Sequence, residues 1–137
     1  MASAVYPKAL QSFLTQSPSI DVDGDTIKVA AVDLTVDYAY SATHQYKSSV
    51  TSYSGSTDAT LSSVTGTSGT MDAADLSPAW ASLAQSSTKT IGALVVYKDT
   101  GTASTSPLIA YIELASAVTP NGGDINITFN ASGILSI

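Results

Sequence analysis

Apolar and polar positions alternate most regularly near the C-terminus, where DINITFN sets Ile125, Ile127 and Phe129 on one side and Asp124, Asn126, Thr128 and Asn130 on the other. That period of two predicts a strand with one wet face. TIGALVVYK and PLIAYIELA are denser apolar runs bounded by Gly, Pro, Asn and Asp clusters, and they predict two further strands. In TIKVAAVDL both faces are apolar, Ile27, Val29 and Ala31 against Ala30, Val32 and Leu34, which predicts a central strand covered on both sides. PNGGD and the segment from Asn130 to Gly133 read as turns, leaving Ile134 to Ile137 for a short last strand. Only residues 5–14, VYPKALQSFL, show helical spacing: Pro7 suits a first turn, and Leu10, Phe13 and Leu14 fall on one face.

Between these runs the pattern weakens. QSPSIDVDGD concentrates turn residues and ends the helix before Pro18. Residues 36–53 carry Tyr38, Tyr40, Tyr46 and Tyr53 among small polar side chains and predict a strand, a loop and another strand. From Gly55 to Gly69 only Leu61 and Val64 are apolar anchors, as in exposed strands and turns or a mobile loop. In MDAADLSPAWASLAQSS two readings stand: a helical turn capped at Ser77 and Pro78, or a short strand carrying Trp80 as a core or interface anchor.

Short strands at intervals of roughly 8 to 12 residues indicate an all-β fold, mainly an antiparallel sandwich or barrel, with one short N-terminal helix. No internal repeat or linker divides the chain. The expectation is one β-rich domain over 1–137, with residues 1–20 as the helix and its arm. At 137 residues, such a chain buries about 68% of its unfolded surface, enough for a core without disulfides or metal.

Composition sharpens this picture. Charged residues make up 12% of the chain against 44% apolar, about half the ~25% charged content usual for globular domains. Twenty-two Ser and seventeen Thr fill the gap. A hydroxyl-rich exterior loses less on desolvation than one crowded with Lys and Glu, so assembly contacts are expected. The net charge of −6 and the five dispersed lysines, with no arginine, argue against nucleic acid and against an anionic membrane surface. The longest apolar run, Ile91 to Tyr97, falls far short of the ~20 residues that cross a bilayer as a helix. MASAVYPKAL has neither the basic nor the apolar region of a secretory signal.

Candidate chemistry is sparse. Cys is absent, Glu113 is the one glutamate and His44 the one histidine, so the usual acid, base and nucleophile inventory is thin. His44 sits between Thr43 and Gln45 outside any hydrolase, zincin or nucleotide-binding motif and reads as a surface or hydrogen-bonded structural residue. No catalytic residue and no cofactor is expected. Asp21, Asp23 and Asp25 in DVDGD would share one side of an extended segment and are the candidate ligands for a hard cation such as calcium. The EF-hand spacing is missing, because Gly24 stands fourth and Val32 twelfth, so a solvated turn is the reading preferred over a metal site. The tyrosines at 38, 40, 46 and 53 suit either packing or a sugar-binding platform. Glu113 is expected to face solvent or an assembly partner. Asn126-Ile-Thr128 and Asn130-Ala-Ser132 match the glycosylation pattern, read as coincidence in a chain without a secretory signal.

LVVYKDTGTASTSPLIAYIEL followed by VTPNGGDINITFNASGILSI resembles a family of small virion proteins of tailed bacteriophages. YPKALQSFL, the acidic turn before DTIKVAAVD, YSATHQY, and MDAAD ahead of the YKDTG strand fall in the order found in that family, so the resemblance spans nearly the whole chain. SPAWASLAQSSTKT departs from it. The resemblance implies a non-enzymatic head decoration or cement subunit, commonly trimeric, on the outer surface of the capsid, binding the major capsid protein and stabilising the head. The alternative is a tail, neck or fibre component with a receptor-binding surface. Net negative charge suits the outside of a particle filled with nucleic acid. Sheet edges and the helix, through Phe13 or Leu14, are the candidate contacts, with internal packing of the helix as the preferred reading.

Overall fold

The computed structural model describes residues 3–136. Ten strands and one helix are placed there: β1 (Ala4–Val5), α1 (Pro7–Thr15), β2 (Ile27–Val32), β3 (Ala59–Thr60), β4 (Thr65–Thr67), β5 (Thr70–Asp72), β6 (Leu76–Trp80), β7 (Ile91–Lys98), β8 (Leu108–Val118), β9 (Ile125–Ile127) and β10 (Leu135–Ser136). They form three antiparallel sheets, β1-β8-β7-β2-β3, β10-β5-β4 and β6-β9. The mostly β, antiparallel fold with a single short N-terminal helix is the class expected from the alternation.

The five-stranded sheet holds the core. Every residue of β2 except Lys28 is buried, as is every residue of β7 except Lys98, because these strands are covered on both faces. β7 is the middle strand and β2 an interior one, paired from Ile27↔Lys98 to Val32↔Ala93. Tyr6, Tyr53, Ile91, Leu108 and Ile109 complete the most deeply buried set. Burial of each such side chain contributes roughly 1.5–3 kcal/mol, so the sheet is where the fold draws its stability.

Helix α1 starts at Pro7, whose missing N–H is no loss there, and ends where Gln16 takes the left-handed conformation (φ 59°) and donates its N–H to the Ser12 carbonyl at 2.8 Å. Its buried residues are Ala9 and Ser12, while Leu10 and Leu14 are exposed and Phe13 is half-buried. Of the expected Leu10/Phe13/Leu14 face only Phe13 packs against the core, so internal packing is corrected for Leu10 and Leu14. Small side chains face the sheet because Tyr6, fully buried just before the helix, donates its N–H to the Ile109 carbonyl at 3.0 Å and brings the helix in close.

One further expectation changes, and one open choice is decided. Residues 36–53 contain no strand; they hold turns, one 3₁₀ turn at Lys47–Ser49 and a lone bridge from Tyr46 to Pro107. At the start of this segment Asp33 Oδ1 accepts hydrogen bonds from the N–H groups of Thr35 and Val36 at 2.8 and 3.0 Å and from the Thr35 hydroxyl at 2.6 Å. These bonds satisfy the backbone locally and take the chain out of the ladder. Trp80 resolves the ambiguous segment as a strand: it ends β6, is buried, and donates its indole N–H to the Thr57 carbonyl at 2.8 Å. In β9 and just after it, Ile125, Ile127 and Phe129 are half-buried while Asn126, Thr128 and Asn130 are exposed, as the alternation predicts. Ile137, the end of the expected last strand, and residues 1 and 2 of the expected arm lie outside the described residues.

Candidate functional site

Four of the five lysines are held in internal ion pairs. Lys89 pairs with Asp37 at 2.5 Å, Lys28 with Asp99 at 3.0 Å, Lys98 with Asp25 at 3.1 Å and Lys47 with Asp58 at 3.7 Å. The Lys89 pair is the most enclosed, with the Asp37 side chain only 3% exposed and the ammonium also over the Tyr53 ring. Asp37 further accepts the Asp33 N–H at 3.0 Å, and Asp33 accepts the Thr90 N–H at 2.8 Å, so one carboxylate network joins the end of β2 to the start of β7. The hydroxyl of Thr35 and the surrounding N–H donors hold the Asp33 carboxyl down at about 2. Asp99 is lowered as well, by the Gly101 N–H and by Lys28.

His44 shares a hydrogen bond through Nδ1 with the Tyr38 hydroxyl at 2.7 Å, and Tyr38 shares one with the buried Tyr6 hydroxyl at 2.8 Å. Tyr40 stacks obliquely between Tyr6 and Tyr111, with ring centroids at 5.2 and 5.1 Å. This aromatic cluster fastens the loop after β2 onto the helix entry. Burial raises the Tyr6 and Tyr38 hydroxyls above the ordinary tyrosine range. It also takes Tyr38 and Tyr53 out of the sugar-platform reading, leaving Tyr40 and Tyr46 half-buried. A second hydroxyl cluster surrounds Asp58, which accepts from Ser52 at 2.6 Å and from Tyr97.

The acidic turn is not extended. The N–H groups of Gly24 and Asp25 both donate to the Asp21 carbonyl, at 3.2 and 2.7 Å, and Asp25 turns back to accept the Asp21 N–H at 2.7 Å while holding Lys98. The arrangement that would have lined up Asp21, Asp23 and Asp25 is therefore replaced, and Asp25 is engaged elsewhere. No group of three or more potential ligands that could hold a metal ion occurs among the described residues. Asp21 and Asp23 remain together and exposed, and contact with Asp21 pushes the Asp23 carboxyl above its ordinary range.

Beside this pair lies an open groove of about 310 Å³. Phe13 from the helix, Ile20 and Val22 from the turn, Met71 from β5 and Leu135 from β10 supply its apolar lining. Gly66 of β4 completes one wall and must be a glycine on present packing, since a Cβ there would lie 2.8 Å from Val22 Cγ2. All three residues of β4 are exposed, and its only sheet neighbour is β5. Of the two candidate contacts on the helix, Phe13 therefore lines the groove and Leu14 stands 87% exposed outside the groove lining. The groove itself escaped the sequence pattern because its walls come from four distant segments. The signals that pointed toward it were Phe13 and the DVDGD turn.

Among known proteins, no family model, curated sequence or solved structure matches the chain.

Proposed function

We propose that the chain is a non-enzymatic structural subunit of a tailed-phage virion, a decoration or cement protein that binds the major capsid protein lattice from outside and stabilises the head. The observation that carries this reading is the ordered run of family-like segments from YPKALQSFL to INITFNASGILSI, spanning nearly the whole chain. The geometry supplies what such a subunit needs. Beside the buried five-stranded sheet, the three-stranded sheet ends on β4 with an open edge, and the chain is rich in hydroxyls and poor in charge. Open edges accept a partner strand, and several weak seats on one shell add through avidity. A trimer would match three-fold or quasi-three-fold seats by symmetry.

The test is binding to expanded shells of its own virus that lack this chain. Purified protein is expected to decorate them and to raise the temperature at which they rupture, with sedimentation giving a trimer. Failure to bind overturns the proposal. Immunogold label on tails or necks, with heads bare, would establish the tail component instead.

A further inference from the structure

We infer that the groove between the acidic turn and the β4–β5 hairpin receives an extended, basic and apolar segment of the shell subunit, added as a strand on the free edge of β4. The identity of the partner rests on the decoration reading above; the chemistry of the occupant rests on the groove.

The backbone argument begins at the hairpin. Ser68 and Gly69 form its two-residue turn, both with positive φ (53° and 80°), the signature of a primed turn in which the flanking pair exchanges the ladder bonds. That pair is Thr67↔Thr70. The next pair, Gly66↔Met71, is then of the wide type, so Gly66 directs its N–H and C=O away from β5 toward the open edge. A strand laid against that edge finds a donor and an acceptor waiting.

Side chains decide what kind of strand fits. Alternate residues of an added strand point to one side, here toward the acidic turn, where Val22 lies over Gly66 and Asp21 and Asp23 form the rim of the groove. Three of the five lysines are bound to Asp37, Asp58 and Asp99, and Lys98 is held by Asp25 of the same turn, which leaves Asp21 and Asp23 outside the ion pairs found among the described residues. Two carboxylates in contact repel, and a Lys or Arg brought by the occupant relieves them both. An acidic segment or a nucleic acid phosphate would add to the repulsion. A second copy of this chain has little to offer: its remaining lysine, Lys8, is wound into α1 and cannot be presented on a strand.

The test uses the full chain, ¹⁵N-labelled, with two synthetic probes, an alternating Lys–Val peptide and its Glu–Val counterpart. The Lys–Val peptide is expected to move the amide signals of residues 20–23 and 64–72, and the Glu–Val peptide to leave them in place. Asp21→Asn with Asp23→Asn should weaken the peptide and the binding to shells by about tenfold without lowering the melting temperature. Asp21→Lys with Asp23→Lys should reverse the preference between the two peptides, which a merely structural role for these exposed residues would not do. Equal response to both peptides, response centred elsewhere, or the same signals moving on self-association alone would overturn the inference. If the wild type binds shells and the Asn variant binds them equally, the groove assignment falls and the decoration reading stands. If the wild type fails to bind shells, the decoration reading falls, and the peptide experiment still judges the groove.

Discussion

The five-stranded sheet, whose β2 and β7 are rich in Val, Ile and Ala, and the three-stranded sheet, whose short strands read TGT, TMD and LS, carry opposite loads. In β2 and β7 nearly every position is buried, and buried polar groups at their ends find partners: Asp33 with Thr35, Val36 and Thr90, Asp37 with Lys89. In β4 no position is buried, β5 buries only Met71, and β10 has two residues. Beside that sheet, Asp21 and Asp23 take part in none of the ion pairs found among the described residues. Satisfied polar groups fix a structure; unsatisfied edges and charges are where a partner gains by arriving. Buried apolar area is thus concentrated in one sheet, and open backbone edge and exposed carboxylates in the region of the other.

Cavity formation gives the sharpest contrast. Ile109 is fully buried in β8, and Ile109→Ala is expected to cost about 3 kcal/mol, whereas Leu135→Ala, on the half-buried β10, should cost closer to 1 kcal/mol. Chemical denaturation of both variants measures the difference. Equal losses would mean that the small sheet bears the fold as much as the large one. Nearly as large is the effect expected at the enclosed ion pair. Lys89→Met leaves the Asp37 carboxylate buried without its cation and should destabilise by about 3 kcal/mol, with Asp37→Asn in the same background recovering part of the loss. Asp23→Asn, at the unneutralised rim, should leave the melting temperature unchanged or slightly higher.

This division explains what the sequence could and could not reveal. Strands β2, β7, β8 and β9 were legible because burial imprints itself on local pattern: two-sided cover produced the runs IKVAAV and IGALVVYK, and one-sided cover produced the alternation of INITF. The helix was legible in extent but not in direction. Leu10, Phe13 and Leu14 mark a face, yet Ala9 and Ser12 make the closer approach, because the close docking of the helix at Tyr6 leaves little room for larger side chains. The first strand expected in residues 36–53 fails at its start, where Asp33 satisfies Thr35 and Val36 through side-chain bonds that leave no periodic trace. The groove was illegible for a related reason: Phe13, Val22, Gly66 and Leu135 meet only in three dimensions.

Titration sharpens the same contrast. Asp33 is held at about 2 in the folded chain, below the ~3.9 of a free aspartate. A depressed carboxyl gives stability that is present above the unfolded value and is lost as pH falls through the folded one. Roughly 2 kcal/mol should therefore disappear between about pH 4 and pH 2, and Asp33→Asn should flatten that part of the stability profile. At the alkaline end the sign is opposite. Burial, then the Tyr38 hydrogen bond at Tyr6 and the Asp58 hydrogen bond at Tyr97, raises both phenols. Raised groups give stability that is present below the unfolded value and is lost as pH climbs, so unfolding should set in above about pH 10. Tyr6→Phe should weaken that dependence.

The smallest effect is expected on the outer face of the helix, and it tests whether that face belongs to the fold at all. Leu14 is 87% exposed, so replacing it removes almost no buried apolar area. Leu14→Gln should change stability by no more than about 0.5 kcal/mol, the range of surface substitutions away from special features. Helix propensity changes little between Leu and Gln, so α1 itself should not respond. A larger loss that grows with protein concentration would carry a definite meaning: the leucine would be covered in solution by another copy, since only an associating surface makes stability depend on mass action. With no such loss, any defect of the variant on shells would be assigned to the contact itself, and the helix would join the groove as a second seat on the partner.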